Sequence, residues 1–119
     1  LDYYTPVMAA SEELLATNPD MVRRFLRALA RGYIYAGLHP EEAADHLLDF
    51  APELDGTLVL ASQQWLADQM VLDIDQWGWQ RPEVWQGFTE WAVEHDLIDE
   101  MIEADDAYSN QFLPGATTP

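Results

Sequence analysis

Two adjacent tyrosines, Tyr3 and Tyr4, followed by Thr5 and Pro6, are the side chains of this sequence best suited to holding a ligand. A tyrosine ring can stack on a flat heteroaromatic ring while its hydroxyl forms a hydrogen bond. Neighbours on a strand point to opposite faces, so one of the two rings is expected to face a cleft. Thr5 adds a hydroxyl beside them. The competing reading is ordinary strand packing of both rings.

Other groupings fall short of a site. Asp73-Ile74-Asp75-Gln76-Trp77-Gly78 opens like a calcium loop, but its fifth position is Trp77 and its twelfth is Val84, where calcium needs oxygen ligands. A solvated loop is expected there. His39, His46 and His95 are scattered. Asp45, His46 and Asp49 lie within about one helical turn, but no second element supplies a further ligand, so no metal site is expected. Ser11, Ser62 and Ser109 lack the strand–turn–helix setting of a nucleophile. The chain has no cysteine, which excludes disulfides, thiol catalysis and cysteine-bound metal. No cofactor and no catalytic residue is expected.

Composition narrows the partners. Twenty-two acidic residues face five basic ones, all arginine, for a net charge of −17. Nucleic-acid binding needs cations to displace counterions from phosphates, and this chain would be repelled instead. Half of the residues, 49%, are hydrophobic, so this is no disordered acidic tail. The acidity fits either a solubilising surface encoded in a GC-rich genome or adaptation to high salt. No apolar run approaches the roughly 20 residues of a membrane-spanning helix. Leu1-Asp2-Tyr3-Tyr4 has neither the basic start nor the apolar core of a signal peptide, although a mature secreted protein would begin in the same way.

The elements that must carry these residues are mostly helical. Tyr3–Ala10 is the one strand candidate, placed at an edge or a strand start by Pro6. Ser11 caps a short turn of helix. Asn18-Pro19 starts a helix expected over Pro19–Ala36, with Val22, Phe25, Leu26, Leu29, Tyr33 and Ala36 on one apolar face. His39-Pro40 restarts the chain into a short amphipathic helix containing Ala43, Ala44, Leu47 and Leu48. Asp55-Gly56 marks a turn. A third long helix is expected over Thr57–Met70, with Leu58, Ala61, Trp65 and Leu66 facing inward. Residues 72–81 read as a loop. Pro82 opens a helix burying Trp85, Phe88 and Trp91. Leu97, Ile98, Met101 and Ile102 suggest a short final helix, and residues 115–119 a flexible tail. The expected fold is mostly α, about five helices plus one N-terminal strand. A lone strand leaves its backbone groups unpaired, so it points to a sheet supplied from elsewhere, either by a partner chain or by further polypeptide.

The order of short segments carries a resemblance. Asp2-Tyr3-Tyr4-Thr5-Pro6-Val7, Asn18-Pro19-Asp20-Met21-Val22, Phe25-Leu26-Arg27-Ala28, Pro40-Glu41-Glu42-Ala43-Ala44, Trp77-Gly78, Trp85 with Phe88 and Trp91, and Ala107-Tyr108-Ser109-Asn110 before Phe112-Leu113-Pro114 are similar to the periplasmic binding proteins for pyrimidine precursors of thiamine. That family is related to the fungal thiamine-pyrimidine synthases and to the riboflavin, taurine and alkanesulfonate binders. The resemblance implies a fragment of a two-lobe α/β fold of the type II periplasmic-binding class, with residues 1–114 as the C-terminal part of the first lobe. It implies a pyrimidine-like small-molecule ligand, contacted by Tyr3, Tyr4 or Thr5, and a membrane permease of the ABC type as partner. The location implied is periplasmic or extracellular, with a lipid anchor on the missing N-terminal part as one way of staying there. The consecutive cysteines of the fungal synthases would lie in that missing part, so the resemblance does not support an enzyme. The alternatives are nonetheless an enzyme of that pyrimidine-synthase type, acting in thiamine biosynthesis, and, more blandly, a free-standing helical interaction domain. Helices without their sheet expose apolar faces, so self-association into a homodimer, strengthened by salt, is also expected.

Overall fold

The structure is a computed structural model in which residues 1–116 are described; of the expected tail at 115–119, residues 117–119 lie outside the described residues. Six helices follow one another among the described residues: α1 Glu12–Thr17, α2 Pro19–Leu38, α3 Pro40–Phe50, α4 Gly56–Ala67, α5 Pro82–Glu94 and α6 Ala104–Ala107. Three of them, α2, α3 and α5, begin with proline, and their preceding residues Asn18, His39 and Arg81 make no side-chain capping bond. Proline suits the first helical position because its missing N–H would have had no partner there and its φ is already helical. Asn18 therefore does not act through its side chain, as its place before Pro19 suggested.

Two other starts use side chains. The Ser11 hydroxyl accepts a hydrogen bond from the Leu14 N–H at 3.2 Å, as expected. Asp55 is a helix cap rather than part of a free turn: its carboxylate accepts from the N–H groups of Thr57 and Leu58 at 2.9 and 3.1 Å. The helix it opens ends at Ala67, short of the expected Met70.

The N-terminal strand is not formed. Residues 1–10 have no regular secondary structure and make no backbone–backbone hydrogen bond among the described residues. A strand exists only as one member of a ladder, and nothing among the described residues provides the other member. The segment is held by its aromatic side chains instead. The short helix expected from Leu97 is also absent, and a four-residue helix at Ala104–Ala107 takes its place. The reason lies at the end of α5. Asp96 has φ of 56°, the Leu97 N–H donates to the Ala92 carbonyl at 2.9 Å, and the Asp96 N–H donates to the Val93 carbonyl at 3.1 Å. This double closure turns the chain off the helix axis. So short an apolar run cannot nucleate a new helix directly afterwards.

Asp96 is not a good residue for that left-handed position, and its charge opposes the negative end of the α5 dipole. Asp96→Gly is expected to stabilise the fold by about 1 kcal/mol, read as a raised midpoint in urea with an unchanged slope.

Helices α2, α3 and α4 pack on one another, α1 leans on α2, and α5 pairs with α6, with no helix–helix contact joining the α5–α6 pair to the rest. Ala30 of α2 and Ala44 of α3 are buried, as are Val84, Thr89 and Ala92 of α5. In α4 the inward residues include Val59, Leu60 and Gln63; Leu58, Ala61, Trp65 and Leu66, expected inside, are all exposed, Leu58 and Trp65 at 69% and 66%. The α4 sequence is apolar nearly all round, so its periodicity selects no face, and the fold settles it through the Gln63 side chain, whose Nε2 donates to the Ala36 carbonyl at 3.1 Å. The loop 68–81 and the C-terminal segment join the two groups of helices. The Tyr33 ring packs against Trp77 at 5.7 Å. The Arg23 guanidinium lies 5.3 Å from the centre of the Phe112 ring, and any side chain at Gly115 would run into the Asp75 carbonyl.

Candidate functional site

An apolar cleft of about 620 Å³ opens where the N-terminal segment, α1, the first half of α2 and the 107–112 segment meet. Val7 to Ala10 form one wall and Met21, Val22, Phe25 and Leu26 of α2 the other. Trp85, Tyr108 and Gln80 close its end. A shallower depression of about 370 Å³ lies beside it, lined by Glu12, Arg23 and Gln111 among others.

The end wall is built by two side chains thirty residues apart. Asn110 Oδ1 accepts from the Gln80 N–H at 3.0 Å, and Asn110 Nδ2 donates to the Gln80 carbonyl at 2.7 Å. One amide side chain thus satisfies both backbone groups of Gln80, as a neighbouring strand would. The Gln80 Oε1 in turn accepts from the Trp85 indole N–H at 2.7 Å. That fixes the indole so that it stacks on Tyr108, with ring centres 5.8 Å apart and planes within 4°. Loss of solvent pushes the Tyr108 hydroxyl above its ordinary pKa, and the negative charge of Asp105 adds to this.

Tyr3 and Tyr4 both lie against α5. The Tyr4 ring sits 6.3 Å from Trp85 and the Tyr3 ring 6.1 Å from Phe88. Trp85 and Phe88 are three residues apart on one helix face, so both tyrosines turn to the same side. Strand alternation does not hold here because the segment is not a strand. The Tyr4 hydroxyl accepts from the Arg81 backbone N–H at 2.9 Å, which satisfies an N–H in front of α5. The Arg81 guanidinium is pushed further up by the Tyr4 hydroxyl and then by Glu83 and Asp2; both carboxylates lie at 3.7 Å. Tyr3 is 54% exposed and Thr5 is exposed, so both remain open to a second molecule. The aromatic row continues along α5 from Phe88 to Trp91 and on to His95. Trp85, Phe88 and Trp91 are half-buried.

Asp73 is occupied by its own loop, accepting from the Asp75 N–H at 2.9 Å and from the Gln76 side chain at 3.0 Å. Among the described residues no three His, Asp or Glu side chains are grouped to hold a metal. No helix of the described residues is long and apolar enough to cross a membrane. Sequence reasoning missed the part played by Gln80, Tyr108 and Asn110. Their only signal was the Tyr108-Ser109-Asn110 segment after a short helix, and no local pattern links it to Gln80.

Residues 1–43, which include the tyrosine pair, α1, α2 and the start of α3, match the family model described as NMT1/THI5 like. The similarity continues beyond that stretch: the riboflavin-binding protein RibY of Chloroflexus aurantiacus is 28% identical over 92% of this chain. Over those 43 positions the sequence is NMT1/THI5-like. A formylaminopyrimidine-binding protein of Halalkalibacterium halodurans is 25% identical over 92% of this chain. A 4-amino-5-hydroxymethyl-2-methylpyrimidine phosphate synthase of Legionella pneumophila is 27% identical over 86% of it. The matches take in 33%, 36% and 31% of those proteins, so the chain spans about a third of the length of the curated relatives it matches.

Proposed function

We propose that these residues are the C-terminal part of the first lobe of an extracytoplasmic solute-binding protein that serves an ABC importer. The solute is a small heteroaromatic molecule of the pyrimidine or flavin class. The observation that carries this reading is the similarity over nearly the whole chain to two proteins named for binding such rings. The exposed Tyr3 and the neighbouring Thr5 suit stacking and hydrogen bonding to a flat ring, whereas Tyr4 already holds the start of α5. Capture would work by closure of two lobes about a hinge, with no bond made or broken. Delivery to the permease follows on the outer side of the membrane.

Titration calorimetry of the full-length protein with riboflavin, a formylaminopyrimidine and hydroxymethylpyrimidine tests this. One of them is expected to bind with micromolar or tighter affinity, and Tyr3→Ala to weaken it by about tenfold. The 119 residues alone are expected to bind none of them tightly, because they provide only one side of the cleft between lobes. Failure of the full-length protein to bind any of the three would overturn the proposal. The relative named as a synthase supports a second reading, an enzyme of pyrimidine formation. Mass spectrometry of the ligand after incubation separates the two, since a binder returns it unchanged.

A further inference from the structure

The hydrogen bond, the ion pair and the two aromatic contacts that tie residues 1–5 to the rest of the described chain fall on one strip of α5 and its leading residue. Asp2 and Tyr4 meet Arg81. The Tyr4 ring leans on Trp85 and the Tyr3 ring on Phe88. Positions 81, 85 and 88 follow at spacings of four and three, so they form one stripe at the start of the helix.

Arg81 differs from the other two because it takes hold on both sides of Tyr3. Its Nη2 lies 3.7 Å from Asp2 Oδ2, and its backbone N–H donates to the Tyr4 hydroxyl at 2.9 Å. Its other terminal nitrogen, Nη1, lies 3.7 Å from Glu83 Oε1, which aims the guanidinium from within the first turn of α5. Four of the five arginines lie in α2, and Arg81 is the fifth. A side chain offered from a loose segment has to be ordered when it stacks on a solute, and that ordering is subtracted from the affinity. Residues 1–10 have no ladder among the described residues to order them. Fixing the residue before Tyr3 and the residue after it orders the ring in advance.

We propose that Arg81 is a positioning residue, which presents Tyr3 to the solute by holding Asp2 and Tyr4 on either side of it. Its role rests on the solute-binding reading above, in which Tyr3 meets the solute. An exposed ion pair of this length is weak by itself. Here the hydrogen bond to Tyr4 keeps Asp2 close to the guanidinium, so the pair forms within a segment already tethered. Dissolved ions screen the pair. Part of the affinity therefore follows salt even for a solute that carries no charge.

Arg81→Gln, Arg81→Lys and Tyr4→Phe in the full-length protein test this, with riboflavin, a formylaminopyrimidine and hydroxymethylpyrimidine in mildly alkaline buffer, where all three are uncharged. Arg81 makes no side-chain cap on α5, so its variants are expected to keep the helical circular dichroism. By calorimetry, each solute that binds is expected to lose about fivefold in affinity with Arg81→Gln, and by a similar factor for each, because positioning is blind to the solute. Arg81→Lys is expected to restore most of the loss. Added sodium chloride is expected to weaken binding by the unaltered protein and to leave Arg81→Gln unchanged, a difference that a general loss of stability does not produce. With no solute present, chymotrypsin is expected to cut after residues 3 and 4 several times faster in Arg81→Gln and in Tyr4→Phe, read by mass spectrometry, since a released segment enters a protease more often. Weaker binding without faster cutting, or the reverse, would overturn the proposal, as would a loss that lysine does not restore. Failure of the unaltered protein to bind any of the three would overturn the solute-binding reading and the role of Arg81 with it, whereas full binding by Arg81→Gln would overturn the role of Arg81 alone.

Discussion

Trp85→Ala is expected to destabilise the fold by about 3 kcal/mol, the lower end of the range for removing a large aromatic side chain, because the indole is half-buried. The loss has three parts. The ring stacks on Tyr108 and borders Tyr4, and its N–H holds the Gln80 side chain. Removing it opens the end of the cleft and frees the N-terminal segment from one of its two aromatic anchors. Trp85→Phe keeps a ring between the tyrosines and loses the hydrogen bond, at a cost of about 1 kcal/mol. Urea unfolding followed by far-UV circular dichroism gives both numbers. Equal losses for the two variants would mean that the stack contributes nothing.

Asn110→Ala is expected to cost about 2–3 kcal/mol, since it removes two hydrogen bonds and leaves the partly buried N–H and C=O of Gln80 without partners. Asn110→Asp is the sharper probe. It keeps an acceptor for the Gln80 N–H but sets a carboxylate oxygen against the Gln80 carbonyl, so it should be no better than alanine. If aspartate restored most of the stability lost with alanine, the donor half of the bridge would be dispensable. Thermal unfolding in low salt measures the difference between the two.

The parts of this structure that follow from neighbouring residues are legible in the sequence. Pro19, Pro40 and Pro82 fix three helix starts, and the Ser11 hydroxyl caps α1. The face of α4 is not legible, because Leu58, Val59, Leu60, Trp65 and Leu66 surround the helix and burial is decided by what α2 and α3 leave open. The stop after α5 is not legible either: nothing marks Asp96 as a left-handed residue, where glycine would have done so. At the site, the tyrosine pair is found by residue type, but its common orientation depends on α5, some eighty residues later. The Asn110–Gln80 bridge joins a side chain to a backbone over thirty positions, and a side chain that imitates a strand leaves no periodicity behind it.

The three proline starts have a consequence for the solvent in which this chain can work. A cap made from a hydroxyl or carboxylate is an exchange of bonds with water, and dissolved ions change the terms of that exchange. A proline start acts before folding, by narrowing the conformations open to the unfolded chain, and ions have little purchase on it. In a chain with 22 acidic residues, α2, α3 and α5 therefore begin at the same place in dilute buffer and in brine, while the carboxylate cap of α4 is left to feel the difference.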